Sequence, residues 1–176
     1  YTTSNVLKGS GLSSSAAFEV LVGTMMSHLF NGGSVGAVEI AKYAQYAENV
    51  YFGKPSGLMD QLASSVGGMI AIDFADTQSP VIRQVKFDFD ALGCALCIVD
   101  TGGNHADLTH EYAAIPNEMR SVASLFGQET LRGISMDALI QRAGEVREKC
   151  GDRALLRAIH FFGDNDRAQH EAKLLR

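Results

Sequence analysis

The sequence predicts an α+β fold, on three observations. Residues 13 to 31 carry apolar side chains at helical spacing behind a loop of glycines and serines. Two short runs, Met69 to Phe74 and Val81 to Phe87, have the composition and alternation of strands. Beyond about residue 107 the pattern becomes mainly helical.

Composition limits what such a fold does. A chain of 176 residues is long enough for one core or for parts of two. Its 46% hydrophobic and 20% charged residues are ordinary for a globular protein. The net charge is −5 with no cluster of Lys and Arg, which argues against a nucleic-acid or anionic-membrane surface. No apolar run reaches membrane-spanning length, and no basic segment precedes an apolar one as in an export signal. Three cysteines outside any framework suit a reducing compartment, so a cytoplasmic location is expected. The chain opens on Tyr1, with its most informative motif close behind, which gives it the look of an excised piece.

That motif is Gly9-Ser10-Gly11-Leu12-Ser13-Ser14-Ser15. Glycines let a backbone turn its N–H groups towards a ligand, and a helix start adds unpaired donors with partial positive charge, so an anion is the natural guest. It is neither a Walker A motif, since no Gly-Lys-Ser/Thr follows, nor a dinucleotide fingerprint, since a third glycine is missing. A purely structural Gly/Ser turn fits the loop equally well when it is taken alone.

In the helix behind it Ala17, Val20, Leu21, Thr24, Met25 and Leu29 recur at helical spacing, and Phe18, Val22 and Met26 widen the stripe until the helix is expected to be buried. Asn31-Gly32-Gly33 stops it, and Ser34 is placed to cap a second helix running to about Tyr51. In that helix the buried stripe Ala37, Ile40, Ala41 and Ala44 continues onto Glu48, which puts a carboxylate on an apolar face. A lone buried carboxylate costs several kcal/mol, so Glu48 either escapes to solvent, pairs with a Lys or Arg, or meets another cation or donor set.

Gly53-Lys54-Pro55 breaks the chain, and Ser56 is placed to cap a short helix, Gly57 to Val66, with Leu58, Met59, Leu62, Ala63 and Val66 inward. Asp60 falls in its first turn, where a helix favours an acid. The two strands follow, and then Cys94 to Asp100, a continuous apolar run expected to be a buried central strand. Helices are expected over about Asp107 to Phe126, Met136 to Gln141 and Asp152 to Arg176. The change of composition at residues 88 to 93 divides the chain into 1–92 and 93–176.

Three patterns point to other chemistries and fail on geometry. Cys94 and Cys97 are three apart in a strand and face opposite sides, with no second pair to complete a zinc site, so they read as reduced core cysteines. Asp100-Thr101-Gly102 resembles half of an aspartic protease site, but a single copy supplies one carboxylate where two must share a proton. His105 and His110 are about 140° apart around a helix and do not converge on a metal with Asp107 and Glu111.

Taken together, the segments along the chain resemble one family. Gly9-x-Gly11-Leu12-Ser13-Ser14-Ser15-Ala16 is similar to the phosphate loop of the GHMP small-molecule kinases, in the triple-serine form of the galactokinase branch. Ser56-Gly57-Leu58-Met59-Asp60-Gln61 resembles that branch's G-[IL]-M-D-Q segment, Ala47-Glu48 its acidic position, Met69 to Asp73 its next strand, and Glu111-Tyr112 its E-Y motif. The resemblance covers the chain to about residue 140 and implies part of a ribosomal protein S5 domain 2-like N-terminal lobe, followed by the start of an α/β C-terminal lobe.

By resemblance, Gly9, Ser10, Gly11, Leu12, Ser13, Ser14 and Ser15 would hold the ATP phosphates, with Ser15 and Glu48 on Mg²⁺. Asp60 would face the attacking sugar hydroxyl as base or electrostatic orienter, and Gly57 and Tyr112 would touch the sugar, galactose or a relative. The family's N-terminal G-E-H-x-D-Y signature, the Arg paired with the catalytic Asp, the adenine pocket and the C-terminal glycine-rich motif are absent from these residues. The chain is therefore expected to lack useful turnover alone and to self-associate, as a dimer, through open edges. A GHMP kinase for another sugar or alcohol, and a non-catalytic binder of sugar and nucleotide, are the competing readings.

Overall fold

A computed structural model describes residues 2–6, 11–99 and 109–175. The elements in chain order are α1 (Ser14–Asn31), α2 (Ala37–Tyr46) continuing into a π-helical turn (Ala47–Tyr51), α3 (Met59–Val66), β1 (Met69–Asp73), β2 (Val81–Val85), α4 (Thr109–Leu125), α5 (Met136–Gln141), α6 (Ala143–Cys150) and α7 (Asp152–Leu174). Short 3₁₀ turns lie at Asp90–Leu92 and Leu131–Gly133. The result is mixed, mainly helical, with β1 and β2 paired antiparallel from Met69 opposite Val85 to Asp73 opposite Val81.

The chain forms two compact units, one of Tyr1–Asp73 with Pro80–Thr109 and one of Phe74–Ser79 with His110–Arg176. In the first, α1, α2 and α3 pack on one another. Their shared core comprises Ala16 and Val20 from α1, Ile40, Ala41 and Ala44 from α2, and Leu58 and Leu62 around the start of α3. The expected stripe of α2 is therefore the buried one, with Ala37 half-buried at its edge. In the second unit Val122 and Ala123 of α4, Leu139 of α5, Val146 of α6 and Ala154, Leu155, Ala158 and Phe162 of α7 close a core over Leu131. Ser135 caps α5 by accepting from the Ala138 N–H at 3.2 Å. No described helix is long and apolar enough to cross a membrane.

Several expectations are corrected. The apolar circumference of α1 is not enclosed: Phe18, Met25, Met26, Leu29 and Phe30 are exposed, because α2 and α3 cover only one side of it. The run Cys94 to Val99 is neither a strand nor buried, and Cys94 and Cys97 are exposed. A central strand needs a ladder on each side, and the only described ladder is the one between β1 and β2. Asp100, His105 and Asp107 lie outside the described residues.

The second helix begins at Ala37 behind Gly36 rather than behind Ser34. Ser56 does not cap α3, because its N–H and hydroxyl both go to Asn49 Oδ1, at 2.8 and 3.1 Å. Met59 and Ala63 of the expected inner face are exposed, and Gln61 is buried instead. The final helices follow expectation, with α6 added between them.

Candidate active site

The site grows from the turn into α1. Gly11 has φ 74°, in the left-handed region that glycine tolerates. Ser13 also lies there, at φ 56° and ψ 43°, the one described non-glycine residue with positive φ. Such a conformation costs a side-chain-bearing residue roughly 1–2 kcal/mol. Its hydroxyl donates to Asp60 Oδ2 at 2.6 Å, while its carbonyl accepts the Ala17 N–H at 3.0 Å and starts the helix. The strained serine thus ties the phosphate-type loop to the first turn of α3.

Asp60 is exposed, and its backbone is fixed by the segment that precedes α3. The Ser56 carbonyl accepts from Gln45 Nε2 at 3.1 Å and from Asn49 Nδ2 at 3.2 Å, in addition to the two bonds that Ser56 gives to Asn49. Gly57 follows at once, and a β-carbon added there would meet nothing within 4 Å.

Glu48 lies behind this surface, only 3% exposed, within the π-helical turn that ends α2. Its Oε1 accepts from Ser15 Oγ at 3.0 Å and from Lys54 Nζ at 2.6 Å, and its Oε2 accepts from Gln61 Nε2 at 2.8 Å. Burial opposes the charged form, but the Lys54 ammonium, helped by the Ser15 hydroxyl, holds the carboxyl below its ordinary range. Glu19 stands on the far side of Gln61, and burial followed by the charge of Glu48 pushes its carboxyl up. The sequence alternatives for Glu48 resolve into one arrangement: a buried acid that meets both a lysine and a donor set.

The structure therefore brings Ser13, Ser15, Glu48 and Asp60 together in one unit, with Gly57 on the same segment as Asp60 and with Gly11, Leu12 and Ser14 in the same turn. Gly9 and Ser10 lie outside the described residues. Tyr112 is exposed in α4 of the other unit, and its neighbour Glu111 is engaged by Arg153 at 3.4 Å and Arg157 at 3.7 Å. Sequence reasoning missed Lys54, Gln61 and Asn49. Only the contents of the Gly53-Lys54-Pro55 break and of the Met59-Asp60-Gln61 segment pointed towards the first two.

The oxygens of Ser15 and Glu48, a hydroxyl and a carboxylate in direct contact, make a hard donor pair of the kind that Mg²⁺ prefers, and they fit that ion. A glycine-and-serine turn at a helix start, a buried acid and an exposed acid tied to that turn are groups of the kind that phosphoryl-transfer sites use.

Residues 1–68 match the family described as GHMP kinases N terminal domain. The galactokinase of Streptomyces coelicolor (strain ATCC BAA-471 / A3(2) / M145) is 36% identical, over 99% of this chain and 44% of its own length. The galactokinase of Actinobacillus pleuropneumoniae serotype 5b (strain L20) is 32% identical, over 99% of this chain and 44% of its own. That of Mycobacterium tuberculosis (strain ATCC 25177 / H37Ra) is 35% identical, over 94% and 44%. The chain thus spans less than half the length of these curated relatives. No solved structure matches it.

Proposed function

We propose that this chain belongs to the GHMP kinase family and is the central part of a sugar kinase that transfers the γ-phosphoryl group of ATP to the anomeric hydroxyl of galactose. The observation that carries the reading is the 2.6 Å bond between Ser13 and Asp60, which sets an exposed carboxylate directly beside the phosphate-type loop. In-line transfer needs an acceptor hydroxyl held against the γ-phosphorus and negative charge neutralised around it, and that placement serves both needs.

In this reading the segment from Gly9 to Ser15 receives the phosphates with backbone N–H groups and hydroxyls at the start of α1. Ser15 and Glu48 hold Mg²⁺, which when bound supplies neutralisation of the phosphate oxygens. Asp60 orients the sugar hydroxyl and accepts its proton as the new O–P bond forms. The Ser13 hydroxyl gives up its bond to Asp60 as the sugar hydroxyl takes that place. Gly57, with its open α-carbon, contacts the sugar.

The same reading assigns 1–92 to an S5-like N-terminal lobe and 93–176 to the start of the C-terminal lobe, and places the enzyme in the cytoplasm. It makes these residues inactive alone, because the family's sugar signature and adenine pocket are not among them. The exposed apolar face of α1 gives the isolated chain a surface for pairing with a second copy.

The test is a coupled assay of ADP release by the full-length protein over a panel of aldoses and small alcohols. Turnover confined to galactose and close relatives is expected. Turnover of an unrelated alcohol, or ligand binding with no turnover of any of them, would overturn the assignment.

A further inference from the structure

Lys54 is the feature that the proposed reaction leaves unused. Its ammonium stands 2.6 Å from Glu48 Oε1 and 3.4 Å from Ser15 Oγ, the two oxygens assigned above to the metal. The contact is built into the backbone. Gly53, at φ 66°, turns the chain back after the π-helical turn, and the Lys54 N–H returns to the Glu48 carbonyl at 3.2 Å. The side chain is half exposed, 55% against 4% for Glu48, so the ammonium reaches in from solvent on a flexible stem while the carboxylate is fixed.

We propose that Lys54 is an internal counter-cation that occupies the divalent-metal position on Glu48 and Ser15 until the metal arrives with the nucleotide. The proposal rests on the metal assignment of the preceding section and goes beyond it. Glu48 is too buried to stand uncompensated, so a cation is required in the nucleotide-free protein as well. An ammonium and a divalent ion cannot share one carboxylate oxygen without strong like-charge repulsion, so the two are alternatives. The free ion must therefore displace Lys54 and binds weakly. An ion carried on a polyphosphate brings negative charge that receives the displaced ammonium, so metal and nucleotide enter as one unit.

The experiment uses the full-length protein and Mn²⁺ alone, with free Mn²⁺ followed by its paramagnetic resonance signal and thermal midpoints measured in chelator and in Mn²⁺. Lys54→Met is expected to bind Mn²⁺ about tenfold more tightly than wild type. It is also expected to melt lower in chelator and to regain the lost midpoint when Mn²⁺ is added, whereas Lys54→Arg behaves as wild type. A purely structural lysine would lower the midpoint without any gain in Mn²⁺ affinity or recovery by the ion, and that result overturns the proposal. Glu48→Gln separates the two layers. If it abolishes Mn²⁺ binding while Lys54→Met brings no gain, only the counter-cation role falls. If Mn²⁺ binding is indifferent to Glu48→Gln, the metal assignment falls and the counter-cation with it.

Discussion

Replacing Glu48 by glutamine probes the buried centre of the site without altering its shape. The carboxylate accepts three hydrogen bonds, from Lys54, Ser15 and Gln61. A bond to a charged group contributes about 1.5–3 kcal/mol and a neutral one about 0.5–1.5, so each exchange loses about 1 kcal/mol. The Lys54 bond loses less, since its ammonium is half exposed and regains water. The new amide can turn its oxygen to Gln61 Nε2 and keep that bond, so the loss falls mainly on the bonds from Ser15 and Lys54.

The expected destabilisation is therefore about 1–2 kcal/mol at neutral pH. Glu48→Ala costs more, because the buried Gln61 amide then has no acceptor there. The pH dependence follows from the depressed carboxyl of Glu48. Its stabilisation is complete above the ordinary carboxyl value of 4.5 and is lost as pH falls through the lower folded-state value. Chemical denaturation of wild type and Glu48→Gln should show a gap that is full at neutral pH and closes below that range. No gap at neutral pH, or one that widens in acid, would contradict this role of the Glu48 carboxylate.

Gly57→Ala should leave thermal stability unchanged, since nothing lies within 4 Å of the added carbon, and should raise KM for galactose about tenfold if that face meets the sugar; an unchanged KM would remove Gly57 from the sugar site. The isolated 176-residue chain should self-associate through α1, and Leu29→Glu combined with Phe30→Glu, both 71% exposed, should shift sedimentation towards monomer. A wild-type chain already monomeric at tens of micromolar would contradict this.

The parts of this fold legible in the sequence are those governed by periodicity within one element. The stripe from Ile40 to Ala44 identified the buried side of α2 and carried Glu48 onto it, and the β1 and β2 runs showed themselves by composition. Pairing between elements was not legible. Gln61 reads as a polar residue on a short helix until Glu48, thirteen positions away, is seen to need its amide. Lys54 sits beyond a chain break and returns only because a π-helical turn and a left-handed glycine redirect the backbone. The strain at Ser13 was equally hidden, since a serine triplet before a helix suggests an ordinary cap. Cys94 to Val99 failed for the converse reason: an apolar run becomes a central strand only where neighbours complete its ladders.

The role proposed for Asp60, handling the acceptor hydroxyl beside the loop, is tested most directly by steady-state galactose phosphorylation by the full-length protein with Asp60→Asn, a change that preserves size and can still accept from Ser13. A fall in kcat by about 10²–10⁴ is expected, with KM for galactose and affinity for Mg·ADP nearly unchanged. A variant that keeps the wild-type kcat would contradict it.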